Sequence, residues 1–226
     1  WTSDYFDFVN NNVTLKTIAQ TISKTGFSLA TLGGVTYDQF DSTTIASLVR
    51  SASSKEETIT LSMTFGAEMV EITLDYGYEF EEGVSTKTLQ AQYSSAFNTA
   101  VGWQDDLQRE GYEFGGWFSD EMRVYGTDLV LTTDAITLTA KWTVKKYSVS
   151  FVAENGQILD ASQDFDYDDQ TQTYTFSGVP YQTQLTFTLS ANSGYEISDA
   201  ASWSEYFTLL IGQDRTSASV TFTMPA

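Results

Sequence analysis

The amino-acid sequence predicts an α+β fold dominated by strands and built from tandem small modules, of which the last is nearly all-β. Apolar and polar residues alternate over several short stretches, which is the period of a half-buried strand. One stretch recurs 77 positions later, where residues 59–65 align with 136–142 and the register continues into the next segment. Two further stretches have the apolar spacing of an amphipathic helix. Together these patterns favour small repeated modules of strands with one short helix in each of the first two.

Composition limits both the architecture and the chemistry. The chain has 226 residues, a formal net charge of −19, 15% aromatic residues and neither cysteine nor histidine. Without those two residue types there is no thiol nucleophile, no disulfide, no imidazole base and no zinc or haem site of the usual ligand types. An acidic surface repels phosphate backbones, so we expect no nucleic-acid partner. No apolar run approaches about 18 residues, so we expect no direct membrane insertion.

The first predicted module covers residues 1–68 and is a degenerate or truncated copy of the repeat. Asn12 can cap a helix over residues 13–24, because its apolar side chains follow helical spacing. Gly26 can end this helix, since glycine adopts the left-handed conformation found at helix ends. The alternating stretch 59–65 closes the module as a strand.

The second predicted module covers residues 69–143 and is the clearest copy. It opens on an alternating strand, and Ser94 or Ser95 can then cap a helix that ends at Gly111. This helix would carry Phe97, Val101 and Leu107 on one face. The module closes with the strand at 136–142.

The third predicted module covers residues 144–226. Where the others have a helix, it has an alternating stretch at 182–190, which predicts a strand. Residues 219–224 close the module in the same style. The acidic run 164–169 followed by alternation over 171–176 predicts a hairpin with an acidic solvent face.

Short joints separate the modules. The predicted joints are residues 66–68 and 143–145, and neither is rich in proline, glycine or serine. This favours a stiff string over freely jointed units. A glycine followed by an aromatic residue also lies upstream of each closing strand. The three instances are Gly26-Phe27, Gly111-Tyr112 and Gly194-Tyr195.

The second module resembles a Listeria–Bacteroides repeat, also called the internalin B-repeat. The resemblance rests on residues 110–120, which read EGYEFGGWFSD, and on the closing strand ITLTAKW at 136–142. The third module resembles a divergent copy and the first a weak one. The resemblance implies a β-grasp-like module, a small mixed sheet around one short helix. It also implies that the motif residues are structural, namely Gly111, Tyr112, Phe114, Gly116, Trp117 and Trp142.

The same resemblance implies a role in assembly. We expect a non-enzymatic spacer or adhesive segment of an exported bacterial surface protein, located outside the cell on its surface and monomeric as a fragment. A partner would be a protein or glycan of a host or neighbouring cell, and no cofactor is expected. The alternative is a carbohydrate-binding accessory region of a secreted enzyme. A third reading, a catalytic fragment with two carboxylates, has no signature that singles out a pair from the acidic background.

An acidic run and a set of aromatic residues are candidate binding sites, and each also has a simpler structural interpretation. Alternate carboxylates at Asp164, Asp166 and Asp168 could converge on calcium, although the run lacks the glycine and the distal glutamate of an EF-hand. Exposed aromatic residues could stack on sugars, and Trp203, Tyr206 and Trp103 are the candidates. For Trp117 and Trp142 a packing role suffices. The acidic clusters at 79–82 and 105–106 are predicted to face water, the first in a loop and the second within the helix.

Overall fold

The computed structural model describes residues 13–45, 47–48, 62–198 and 206–226. Strands dominate these residues, which confirms the predicted fold class. Three features of the sequence analysis lie outside the described residues: the Asn12 cap, residues 59–61 of the repeated strand and Trp203.

The chain divides into two compact units. The first comprises the part up to Asp105 together with Gly116–Ala140, and the second comprises Asp106–Gly115 together with Lys141–Ala226. The division into three modules stays a prediction.

The described elements, in chain order, are α1 (Leu15–Ala19), β1 (Phe27–Leu32), β2 (Val35–Thr36), a 3-10 turn (Tyr37–Gln39), β3 (Met63–Ala67), β4 (Met69–Asp75), β5 (Thr86–Gln92), a 3-10 turn (Phe97–Thr99), β6 (Tyr112–Ser119), β7 (Met122–Val124), β8 (Ile136–Val144), β9 (Lys146–Val152), β10 (Gly156–Leu159), β11 (Asp166–Asp168), β12 (Thr173–Pro180), β13 (Gln184–Ala191), β14 (Phe207–Ile211) and β15 (Ser217–Thr223).

The first part of the chain packs α1 against a three-stranded antiparallel sheet of order β2-β1-β3. α1 is amphipathic and buries Leu15 and Ile18. They join Leu29, Leu32 and Phe40 in one hydrophobic cluster. This cluster is small, as expected for a segment of this length.

A five-stranded mixed sheet of order β5-β4-β8-β6-β7 follows. β4 pairs antiparallel with β5 and parallel with β8, where Ile72 lies opposite Ile136. The alternation in β4 buries Val70, Ile72 and Leu74, as the sequence predicts. Between β5 and β6 the chain forms the 3-10 turn Phe97–Thr99. The β-grasp-like assignment stays a prediction.

The segment from β9 onward forms two antiparallel sheets, of orders β11-β12-β9 and β10-β13-β15-β14. Their facing sides share one core that includes Phe176, Leu185, Phe187 and Val220. The predicted strands at 182–190 and 219–224 are confirmed as β13 and β15. The nearly all-β character of this segment is therefore confirmed, with a sheet arrangement unlike the mixed sheet before it.

The first predicted helix is much shorter than expected. α1 ends at Ala19, although the apolar spacing continues to Ile22, and its N-cap is Thr14. The Thr21 hydroxyl donates to the Ile18 carbonyl at 2.7 Å, the kind of local side-chain bond that competes with helix propagation. The prediction of a helix over 13–24 is wrong outside Leu15–Ala19.

The second predicted helix, from Ser94 or Ser95 to Gly111, is wrong. After the 3-10 turn, Ala100 has extended backbone and Gly102 has a φ of +93°. Val101, assigned to the buried face, is 92% exposed. Phe97 and Leu107 are buried, but as separate contacts of a loop rather than as neighbours on one helix face.

Candidate functional site

The repeat seen in the sequence is present in the strands. β3 and β8 end 77 positions apart, at Ala67 and Val144, and β4 and β9 begin and end 77 positions apart. The predicted strand–joint–strand pattern is confirmed for the described residues. The predicted three-residue joints are too long, because strand pairing continues to Ala67 and Val144. A single residue separates the strands in each copy, Glu68 in the first and Lys145 in the second.

Both backbone polar groups of Glu68 are hydrogen-bonded. The N–H of Glu68 donates to the Gly26 carbonyl at 2.9 Å, and its carbonyl accepts from the N–H of Tyr93 at 2.8 Å. The Tyr93 ring lies directly on Gly26, where an added Cβ would stand 2.2 Å from the ring Cγ. The φ of Gly26 is +75°. Both the conformation and the close approach require glycine here.

At the second residue the arrangement is the same. The N–H of Lys145 donates to the Gly111 carbonyl at 2.8 Å, and its carbonyl accepts from the N–H of Tyr181 at 2.9 Å. An added Cβ on Gly111 would stand 2.0 Å from the Tyr181 Cδ1, and the φ of Gly111 is +72°. We call Gly26, Glu68 and Tyr93 the first joint, and Gly111, Lys145 and Tyr181 the second joint.

A cation and a second aromatic ring accompany the first joint. Phe27 meets Tyr93 edge to face at 5.4 Å between ring centroids. The Lys24 ammonium lies 4.1 Å from the Phe27 ring centroid and 5.8 Å from that of Phe65. Rings and cations at these distances attract one another through the ring quadrupole.

The second joint has equivalent groups at the same places. Tyr112 meets Tyr181 edge to face at 6.0 Å. The Arg109 guanidinium lies 3.8 Å from the Tyr112 ring centroid and 5.7 Å from that of Trp142. Trp142 in turn contacts Phe114 at 5.2 Å. Four of the motif residues from the sequence analysis (Gly111, Tyr112, Phe114 and Trp142) therefore lie at or beside this joint.

The third glycine–aromatic pair, Gly194-Tyr195, is not placed like the other two. An added Cβ on Gly194 would meet nothing within 4 Å, and Tyr195 is 52% exposed. The Thr223 N–H at the end of β15 donates to the Tyr206 carbonyl at 2.8 Å and not to Gly194. The expectation that Gly194-Tyr195 repeats the same element is therefore wrong. Sequence similarity in a glycine–aromatic pair does not fix which strand it precedes.

Trp117 forms the centre of the aromatic core of the first unit. Its side chain is buried, and its indole N–H donates to the Gln104 carbonyl at 2.7 Å. The Tyr76 and Trp103 rings pack on it at 5.6 and 6.2 Å. Gly116, beside it, has a φ of +114°. The predicted packing role of Trp117 is confirmed, whereas Trp142 is only half-buried.

The structure describes two of the predicted sugar-stacking residues, Trp103 and Tyr206. Trp103 is half-buried against Phe97, and its indole N–H donates to the Asp105 carboxylate at 2.8 Å. Tyr206 is 40% exposed and belongs to the second unit, whereas Trp103 belongs to the first. Trp203 lies outside the described residues. The structure therefore uses the Trp103 ring and N–H for local packing.

A cleft of about 490 Å³ lies beside the first joint. Lys16, Tyr37 and Glu68 contribute to its lining. Tyr37 is 59% exposed, and Lys16 pairs with Asp41 at 2.8 Å at the rim. The cleft therefore combines an exposed aromatic ring with polar side chains. It could not be predicted from the sequence, because these residues belong to no motif.

The candidate calcium residues lie on and before a hairpin strand. β11 pairs with β12, so that Asp166 lies opposite Thr175 and Asp168 opposite Thr173. Asp164, Asp166 and Asp168 are exposed. Nowhere in the described residues do three or more acidic side chains come close enough to hold a metal ion. The hairpin with an acidic solvent face is confirmed.

The acidic residues of the 79–82 and 105–106 clusters are exposed in loops. The prediction that the 105–106 cluster lies within a helix is therefore wrong.

Asp168 and Asp214 are expected to titrate below the ordinary pH of an aspartate. The Thr171 side chain and the Gln170 N–H bond the Asp168 carboxylate and lower its pKa. The Thr216 side chain and N–H lower that of Asp214. Because the folded pKa is lowered, the stability these turns contribute is present above the unfolded pKa and is lost as the pH falls through the folded one. Carboxyl carbon shifts followed by NMR should show both midpoints below that of an aspartate in an unstructured peptide.

Comparisons with known proteins identify distant relatives. No family model and no solved structure matches the chain. Over 102 residues, 44% of the chain, it is 29% identical to a protein of Evansella cellulosilytica named "Putative membrane protein". Over 96 residues, 40% of the chain, it is 31% identical to a protein of the same organism named "Putative Gly-rich membrane protein". The matches span only 15% and 11% of these relatives' lengths.

A search of the described residues for membrane-crossing helices finds none that is long and apolar enough.

Proposed function

We propose that the chain is a non-enzymatic spacer segment of an exported bacterial surface protein, built from tandem modules. The observation that carries the proposal is the pair of equivalent joints. In each, one strand ends, a single residue follows and the next strand begins, with both backbone groups of that residue hydrogen-bonded. A joint residue whose two backbone groups are hydrogen-bonded cannot pivot freely, and this is the property that a spacer requires of its joints.

The relatives support this role. The matched segments are a small part of much longer proteins whose names place them at a membrane. A repeated segment in a long membrane-associated protein fits a spacer that carries another domain away from the cell. We propose the same location for this chain, outside the cell and on its surface. The acidic charge of −19 keeps such modules from associating with one another.

Bacterial surface display tests the proposal. The chain is placed between a membrane anchor and a reporter domain, and is compared with a Gly/Ser linker of equal residue number, which behaves as a flexible coil. We expect the reporter on this chain to be captured by ligand-coated beads several-fold more efficiently, because the flexible linker allows it to fold back. Equal capture by the two displays would contradict the spacer function.

A second candidate function, a carbohydrate-binding accessory region, is supported by the cleft that Tyr37 lines. A glycan array of the purified chain tests it, with Tyr37→Ala as the variant and Val101→Ala, at a 92% exposed position, as the control. Trp203→Ala belongs in the same series as a predicted surface contact. A glycan signal lost with Tyr37→Ala or Trp203→Ala and kept with Val101→Ala would favour this function over the pure spacer.

A further inference from the structure

We propose that the first and second joints are the same clamp used twice. In each joint, the ring of a tyrosine from the later segment packs on a glycine of the earlier segment. The strand before the joint residue and the strand after it therefore separate from their partners in one step. The inference goes beyond the spacer function, because the clamp is a property of the joints whatever the chain carries.

The hydrogen bonds couple the two sides of each joint. The joint residue donates its N–H to the glycine that precedes β1 or β6, and it accepts at its carbonyl from the tyrosine that follows β5 or β12. The two bonds meet on one residue, so displacing either neighbour moves the atoms that hold the other. A flexible linker residue would have its backbone groups bonded to water instead.

The side chain of the joint residue is not what fixes it. Glu68 and Lys145 occupy the same position with opposite charge, and both side chains are exposed. The same backbone bonds form in both cases, at lengths that agree within 0.1 Å. What the two joints share is the pair that covers them, Gly26 with Tyr93 and Gly111 with Tyr181.

Both positions require glycine because of the tyrosine ring that covers them as well as because of their backbone conformation. Gly26 and Gly111 are buried, and any Cβ at either would overlap a tyrosine ring. Gly178 offers a contrast within the second unit. Its φ of +70° is close to the +72° of Gly111, yet an added Cβ there would meet nothing within 4 Å. An alanine at Gly178 therefore reports the backbone cost alone.

The clamp predicts a specific pattern of melting temperatures in the full chain. Gly111→Ala should lower the melting temperature of the second unit by roughly 5 °C more than Gly178→Ala does, because it adds a steric clash to the same backbone cost. In a Tyr181→Ala background the clash is gone, so Gly111→Ala should then cost no more than Gly178→Ala. Equal shifts for Gly111→Ala and Gly178→Ala in the wild-type background would overturn the clamp.

Amide exchange tests the coupling itself. The Lys145 N–H bonds to Gly111 and not to Tyr181, so a purely local ring contact would leave its exchange rate unchanged. We expect Tyr181→Ala to accelerate exchange at Lys145 about tenfold or more, and Tyr181→Phe, which keeps the ring, to leave it within about twofold of wild type. An unchanged Lys145 rate in Tyr181→Ala would overturn the coupling. Because the spacer function is tested separately by display, the failure of one does not imply the failure of the other.

Discussion

Replacing Trp117 by alanine is expected to lower the free energy of unfolding of the first unit by about 3–5 kcal/mol. The side chain is 1% exposed, so its loss leaves a large cavity among Tyr76 and Trp103. It also leaves the Gln104 carbonyl without the indole N–H that bonds it at 2.7 Å. The change adds the cost of lost burial to that of a lost hydrogen-bond donor. Urea unfolding followed by circular dichroism measures the difference.

Two variants make this result interpretable. Trp117→Phe keeps a ring in the cavity but removes the N–H, and it should cost clearly less than Trp117→Ala. Met122→Ala, at a 76% exposed position on β7 in the same unit, should change stability by less than about 0.5 kcal/mol. A loss for Trp117→Ala that is no larger than that for Met122→Ala would contradict its place at the centre of the core.

Replacing Phe176 by alanine is expected to destabilise the second unit by a similar amount, about 3–5 kcal/mol. Phe176 is 0% exposed. Its ring contacts three others, Phe151 at 5.9 Å, Phe165 at 5.5 Å and Phe187 at 5.7 Å. These rings come from both sheets and the loop before β11, so the cavity would lie between the two layers. Thermal unfolding by calorimetry measures the loss.

The matched control for Phe176 is Tyr167→Ala in the neighbouring strand β11. Tyr167 is 49% exposed, and it contacts Tyr174 at 4.4 Å on the hairpin. We expect its removal to cost about 1 kcal/mol or less, since little area is uncovered. A larger effect for Tyr167→Ala than for Phe176→Ala would place the core of the second unit on the hairpin rather than between the sheets.

The strands could be predicted from the sequence because each has one buried and one exposed face. In β4, Val70, Ile72 and Leu74 alternate with Glu71 and Thr73, and the structure buries the three apolar residues. The 77-residue spacing could be predicted for the same reason, since both copies place the same pattern in the same kind of strand.

The helices could not be predicted because apolar spacing alone does not show where a backbone turns. Val101 fitted a helical face with Phe97, yet it is 92% exposed, because Ala100 and Gly102 leave the helical conformation. At Gly26 and Gly111 the expected left-handed conformation was correct, but the two glycines precede strands rather than end long helices.

Only the glycines of the two joints could be predicted from the sequence. The recurrence of glycine followed by an aromatic residue pointed to Gly26 and Gly111. Nothing local indicated that Tyr93 and Tyr181 would cover them, because each tyrosine lies about 70 residues further along and is positioned by strand pairing. Because strand pairing decides what covers a glycine, the local sequence alone could not distinguish Gly194 from Gly26 and Gly111.

Successive strands at the two joints are connected through single, hydrogen-bonded residues rather than through flexible linkers. Amide hydrogen exchange at Glu68 and Lys145 in the wild-type chain measures whether these bonds hold in solution. Both amides are expected to exchange at least about a hundredfold more slowly than in an unstructured peptide, because each donates to a glycine carbonyl under a tyrosine ring. Exchange at Glu68 and Lys145 as fast as in an unstructured peptide would contradict it.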